Sequence, residues 1–346
     1  MLATERDKTT RMKRLLSILI LACTLSACEN DGQVSTPIND SKPITFGSVE
    51  TRVENALEIN EFGVFVQQNL GKDDEPTANQ WNSLLEGERV YRTTSGFTYD
   101  NTRYWVDNRA FFFWAYYPYA GITAARTEEI EYVDVNGELQ PSTTSHFTLN
   151  VSVPYAANAD YMVAQKTEKT GVGTYPSSVD FDFEHLLSKV VFNVKKSNDN
   201  ANDKFIVTQV GLAGISRNGV FECTHVPGRL EESFTSTAEN RQVRRSNLNK
   251  EISTSGVDVL DGGFYMLPQT LVENQVKLSV TYTSQQNGNG ELQYLTVEKV
   301  IPVIEWEKGK VYTYTLELAI DNKIYISTPS VTGWGSMQTG GTIIIK

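Results

Sequence analysis

Along much of the chain, apolar residues recur at every second position. Phe147, Leu149, Val151 and Val153 alternate with polar or small neighbours, as do Val179, Phe181 and Phe183, and then Val190, Phe192 and Val194. A period of two sends successive side chains to opposite faces, so each run predicts a half-buried strand. Val276, Leu278, Val280 and Tyr282 repeat the pattern. Gln286-Asn287-Gly288-Asn289-Gly290 and a second run from Leu292 follow, which predicts a hairpin with a glycine-permitted turn. Asn218-Gly219 is expected to turn in the same way between residues 210–215 and 220–223, and Lys308-Gly309-Lys310 to precede a strand over 311–318. Helical spacing is confined to residues 79–85 and 185–188, a turn or two each. Many short strands between turn residues predict an all-β protein of antiparallel β-sandwiches. A break at Tyr175-Pro176-Ser177-Ser178 divides it into an N-terminal sandwich over 44–178 and a C-terminal one over 179–346.

The first 27 residues break this pattern. Arg11, Lys13 and Arg14 precede an apolar run from Leu15 to Leu25, and Ser26-Ala27-Cys28 follows. The run is about half the ~20 residues that a spanning helix needs, so residues 1–27 read as a signal peptide, with Met12 as an alternative start. Leu25-Ser26-Ala27-Cys28 resembles a bacterial lipobox, which implies lipid on Cys28 and cleavage before it. Each buried methylene contributes about 0.8 kcal/mol, so several acyl chains would hold the chain at an outer-membrane surface. Glu29, Asn30 and Asp31 loosely resemble an acidic export tag. Residues 28–43, rich in Ser, Asn, Asp and Pro, read as a flexible tether.

Composition narrows the chemistry. The chain holds 31 basic and 42 acidic side chains; five and two of these lie in residues 1–27, leaving 26 against 40 and a balance of −14. An acidic chain without a basic stripe is a poor partner for nucleic acid. With Cys23 in the signal and Cys28 lipidated, Cys223 is left without a disulfide partner and reads as a small buried hydrophobe. His146, His185 and His225 lie in separate segments without metal-ligand spacing, and no hydrolase, nucleotide or complete calcium-loop motif occurs. Residues 199–203 resemble a calcium loop only faintly and read as a solvated turn, as does Asp73-Asp74-Glu75. No cofactor or metal is expected, and no catalytic residue.

The aromatic run Phe111-Phe112-Phe113-Trp114-Ala115-Tyr116-Tyr117-Pro118-Tyr119 admits two readings. Exposed, with Trp81 and Trp105, it would be a sugar-stacking platform on a monomeric surface lipoprotein that takes up glycans. Buried, it would be the centre of a core, which its continuity favours.

Eight stretches stand in order along the chain: the lipobox, Ile44-Thr45-Phe46 with Thr51-Arg52, Glu61-Phe62-Gly63-Val64-Phe65, the segment 113–119, Asp160-Tyr161-Met162-Val163-Ala164, residues 183–190, Phe264-Tyr265-Met266-Leu267-Pro268-Gln269, and residues 309–316. Together they resemble the fimbrillin family of type V pilus subunits. The resemblance implies two tandem transthyretin-like sandwiches and a structural, adhesive role without catalysis. It implies a lipid-anchored precursor on the outer membrane and a maturation protease that cuts after Arg52. The first strand, 44–49 with Ile44, Phe46 and Val49, would be removed, and other pilin subunits would join by strand exchange. The donor would lie at 341–346, where Ile343, Ile344 and Ile345 form an aggregation-prone edge unless covered. That segment either enters a neighbour, the favoured reading, or closes its own sheet.

Overall fold

The computed structural model describes residues 42–51, 59–71, 80–135, 137–197, 200–226, 229–319 and 323–334. Among them there is no α-helix, and the chain is built from strands. A seven-stranded sheet runs in the order β1 (Phe46–Thr51), β9 (Val179–His185), β8 (Met162–Lys169), β5 (Ala110–Tyr117), β2 (Glu61–Asn69), β3 (Trp81–Thr93), β4 (Gly96–Thr98). A four-stranded sheet follows the order β13 (Arg229–Ser236), β12 (Asn218–Val226), β7 (Glu138–Ser152), β6 (Ala124–Val135). A second four-stranded sheet has the order β14 (Arg241–Glu251), β11 (Lys204–Ile215), β18 (Lys277–Gln285), β19 (Gln293–Val300).

In a six-stranded sheet, β10 (Ser188–Lys196) and β21 (Lys310–Leu318) are central. β15 (Val257–Asp258) and β16 (Phe264–Met266) flank β10; β22 (Ile324–Ile326) and β23 (Ser330–Gly333) flank β21. β17 (Gln269–Thr270) and β20 (Glu305–Trp306) form a separate pair. Most pairings are antiparallel, as expected, but β1 runs parallel to β9 and β10 parallel to β21.

The alternating runs form the expected half-buried strands: every second residue of β9, from Val179 to His185, is buried. The hairpin between β18 and β19 turns where Asn287 and Gly288 take positive φ. The continuous aromatic run has a different cause. The seven-stranded sheet is covered on both faces. Phe111, Phe113 and Ala115 of β5 enter one core cluster with Phe62, Val64 and Val66 of β2. Phe112, Trp114 and Tyr116 enter the other with Phe147, Leu149 and Val151 of β7. A strand buried on both sides has no polar face to alternate with. The opposite edges of this sheet, β1 and β4, lie against one another, so it curls around the first cluster.

Two local expectations fail. Residues 81–93 are strand β3, and 185 and 188 belong to β9 and β10, so neither helical turn exists. The register of β2 on β3 slips between Val64/Glu88 and Val66/Leu85, where Gly87 has φ of 65°. This bulge breaks the alternation and mimics helical spacing. Asn218-Gly219 is not a turn either. Both residues lie inside β12, which pairs with β7 and β13, whereas β11 pairs with β14 and β18. Gly219 is there for space, because a Cβ would come within 2.8 Å of the Phe234 ring and of the Thr235 carbonyl.

Candidate functional site

The residues expected in a removable first strand sit at the open edge of the seven-stranded sheet. The N–H of Ile44 donates to the Arg103 carbonyl (2.8 Å), that of Trp105 to the Lys42 carbonyl (3.0 Å), and that of Val179 to the Thr45 carbonyl (2.8 Å). The Tyr99 hydroxyl donates to the Ile44 carbonyl (3.0 Å), and Thr45 Oγ1 to the Ser177 carbonyl (3.0 Å). Burial raises the pKa of Tyr99, so it remains a donor at any physiological pH. β1 then pairs with β9 alone, with a register irregularity between Phe46/Val179 and Val49/Phe181.

Its side chains go deep. Ile44 is 1% and Phe46 5% exposed, and Val49 packs partly buried against the same cluster. The Phe46 ring stacks on Phe181 (5.8 Å between centroids) and meets Phe62, Tyr99 and Phe113 edge-on at 5.9, 5.4 and 6.4 Å. One short segment, bonded to residues 103–105 through 42–44 and to β9 alone from Phe46 onward, thus fills part of an aromatic core. Arg52 lies one residue beyond its end, outside the described residues, as do Cys28 and Ile343, Ile344 and Ile345.

At the other terminus, β23 pairs antiparallel with β21 through Lys310/Gly333, Val311/Thr332, Tyr312/Val331 and Thr313/Ser330. The last described residue, Trp334, donates its N–H to the Gly309 carbonyl (2.8 Å). Its ring lies flat on His185, 3.9 Å between centroids and 5° between planes. His185 Nδ1 is 2.8 Å from Asp160 Oδ2. No sequence signal pointed to this assembly, because its members come from segments far apart in the chain.

The rings proposed for sugar stacking are occupied elsewhere. Phe111, Phe113, Trp114 and Trp105 are buried; Trp81 is partly buried, edge-on to His225 at 4.7 Å. His225 also stacks on Phe112 (4.0 Å, 11°), and burial pushes its pKa down to about 4. Burial pushes the Cys223 thiol up to about 12, an unreactive state for a thiol. His146 Nδ1 lies 2.9 Å from Glu222. Among the described residues no group of three or more His, Cys, Asp or Glu side chains could hold a metal ion. Asp199 lies outside them, as do Asp73-Asp74-Glu75, while Asp203 N–H donates to the Asn200 carbonyl (3.1 Å) in a simple turn.

Comparison with solved structures finds the same fold in a fimbrial protein from Bacteroides vulgatus. It is 17% identical over 85% of this chain and all of that one, with a TM-score of 0.50. Also similar are a putative cell adhesion protein from Bacteroides ovatus (20% identity, 85% and 98% covered, TM-score 0.47) and a fimbrial assembly protein from Parabacteroides distasonis (12%, 85% and 98%, TM-score 0.34). No curated protein matches. A family model described as fimbrillin-like matches residues 51–334, nearly the whole of the strand-built region. The chain therefore belongs to the fimbrillin-like family.

Proposed function

We propose that this protein is a structural or accessory subunit of a surface fimbria that contributes to adhesion. In this reading residues 1–27 direct export, and lipid on Cys28 carries the precursor to the outer membrane. A protease then cuts after Arg52, and subunits polymerise by strand exchange with residues 341–346 as donor. The observation that carries it is β1 with the residues that lead into it: β1 pairs with a single strand, yet Phe46 within it and Ile44 just before it fill core space. Removing such a strand leaves the edge of β9 unpaired beside an apolar slot walled by Phe62, Tyr99, Phe113 and Phe181. An incoming strand recovers the ladder and the burial, ~1.5–3 kcal/mol for each large apolar side chain it seats. Seated as a strand, Ile343-Ile344-Ile345 would send its outer two side chains to one face, as a slot lined on one side requires.

The test incubates purified precursor with an arginine-specific protease. A discrete cut after Arg52 followed by polymers is expected, and Ile343→Asp with Ile345→Asp should block polymers while the monomer stays folded. A protein that remains monomeric however it is trimmed would sink the polymerisation reading. If the double substitution unfolds the isolated monomer, the tail belongs to its own core.

A further inference from the structure

β23 is an unusual edge strand. All four of its residues expose their side chains, Val331 by 47%, so the strand buries no apolar surface of its own. A four-residue ladder on a sheet edge is marginal when nothing packs beneath it. Attachment comes from its two ends. Pro329, just before it, is buried, and Trp334, just after it, packs against the main core cluster. The Trp334 ring is covered by His185 on one face and approached by Tyr265 at 5.1 Å, with Lys189 Nζ 5.9 Å from its centroid.

The seat itself is buried. The His185 side chain is 2% exposed, and its Nδ1 lies 2.8 Å from Asp160 Oδ2, while the other carboxylate oxygen of Asp160 accepts the Tyr161 N–H (2.8 Å). His185 ends β9 of the seven-stranded sheet, Tyr265 lies in β16 and Lys189 in β10 of the six-stranded sheet. Trp334 is thus seated where two sheets meet.

We infer that Trp334 is the fastener of the C-terminal arm: seated on His185 and against Tyr265, this ring holds the C-terminal end of β23 in its own sheet, as the buried Pro329 holds its start. Unseating it frees the chain beyond Pro329 while both sheets beneath stay folded. The arm that follows carries Ile343, Ile344 and Ile345, so the fastener sets when that segment becomes available. This last consequence rests on the strand-exchange reading; the fastening does not.

Hydrogen exchange of the intact protein, followed by mass spectrometry, separates the two. Trp334→Ala should speed exchange in peptides covering 327–334 by about tenfold or more and leave β9, β10 and β21 protected. Trp334→Phe, which keeps a ring on His185, should restore most of the protection. Unchanged exchange in 327–334 would overturn the proposal. Loss spreading equally through β10 and β21 would also overturn it, because Trp334 would then be an ordinary core residue. So would a Phe variant that behaves like Ala. Polymer formation is scored separately on the same variants: faster exchange in the arm without any change in assembly leaves the fastener standing and removes its link to strand donation.

Discussion

Replacing Phe46 by Ala tests whether β1 is anchored as its contacts require. The ring is 5% exposed and has four aromatic neighbours, three edge-on and one stacked. Truncating a buried Phe costs ~3–5 kcal/mol, the sum of lost transfer energy and the cavity left behind. Two features place the cost near the lower limit. β1 has a ladder partner on one side only, so water or a shifted strand can partly fill the space. The register irregularity after Phe46 also lets the backbone adjust. A loss of about 3 kcal/mol is therefore expected, which at a slope of ~3 kcal/mol/M moves a urea midpoint down by about 1 M. Thr45→Ala is the neighbouring control. It removes one exposed hydrogen bond to Ser177 and should cost less than about 1 kcal/mol. Should Phe46→Ala cost no more than this control, the strand is not held by its ring, and the argument that β1 leaves an apolar slot behind would fail with it.

Two further predictions concern the core on the opposite face of the seven-stranded sheet. His225 is kept neutral by burial, with its pKa lowered from 6.5 to about 4, so the unfolded chain binds the proton first as pH falls. Its contribution is fully present above about pH 6.5 and is lost toward pH 4, amounting to ~2 kcal/mol by pH 5. His225→Phe, which preserves the stack on Phe112, should therefore reduce the stability lost between pH 7 and pH 5 by about that amount in urea titrations; an unchanged loss refutes it. Gly63→Ala would place a Cβ 2.1 Å from Cζ of the Tyr116 ring, which lies across Gly63 from the paired position on β5. Displacing that buried ring should cost ~1–3 kcal/mol in thermal denaturation, whereas Gly171→Ala, with its nearest neighbour at 3.7 Å, should be nearly neutral.

How much of this was legible in the sequence follows from what alternation encodes. A period of two reports a strand with one wet face, and β7, β9, β10, β18 and β21 were visible for that reason. β5 and β2 are buried on both faces, so their alternation vanishes, and only the continuity of the Phe111–Tyr116 run pointed inward. Local signals lost to packing in two places. Gly219 has the appearance of a turn residue but makes room for Phe234, and the Leu84-Leu85 doublet precedes a bulge at Gly87 rather than a helix. Arg245 shows the limit most clearly. In the sequence it is one of a pair of arginines in a polar strand. In the structure its guanidinium donates to the backbone carbonyls of Ala156, Ala157, Leu260 and Gly263, tying the loop before β8 to the turn before β16.

The candidate site was half visible for the same physical reason. Ile44, Phe46 and Val49 depart from a strict period of two between 46 and 49, where the register on β9 slips, so the apolar positions were readable while the strand bounds shifted from 44–49 to Phe46–Thr51. Its parallel partner, more than a hundred residues away, and the seat built by Asp160, His185 and Trp334 are long-range pairings. Such pairings are selected by the shape of the assembled core, and no local pattern records them. How firmly an edge strand is held is therefore set not by its own composition but by what the rest of the chain places beneath it. β1, rich in buried contacts, and β23, whose own side chains are all exposed, stand at opposite extremes.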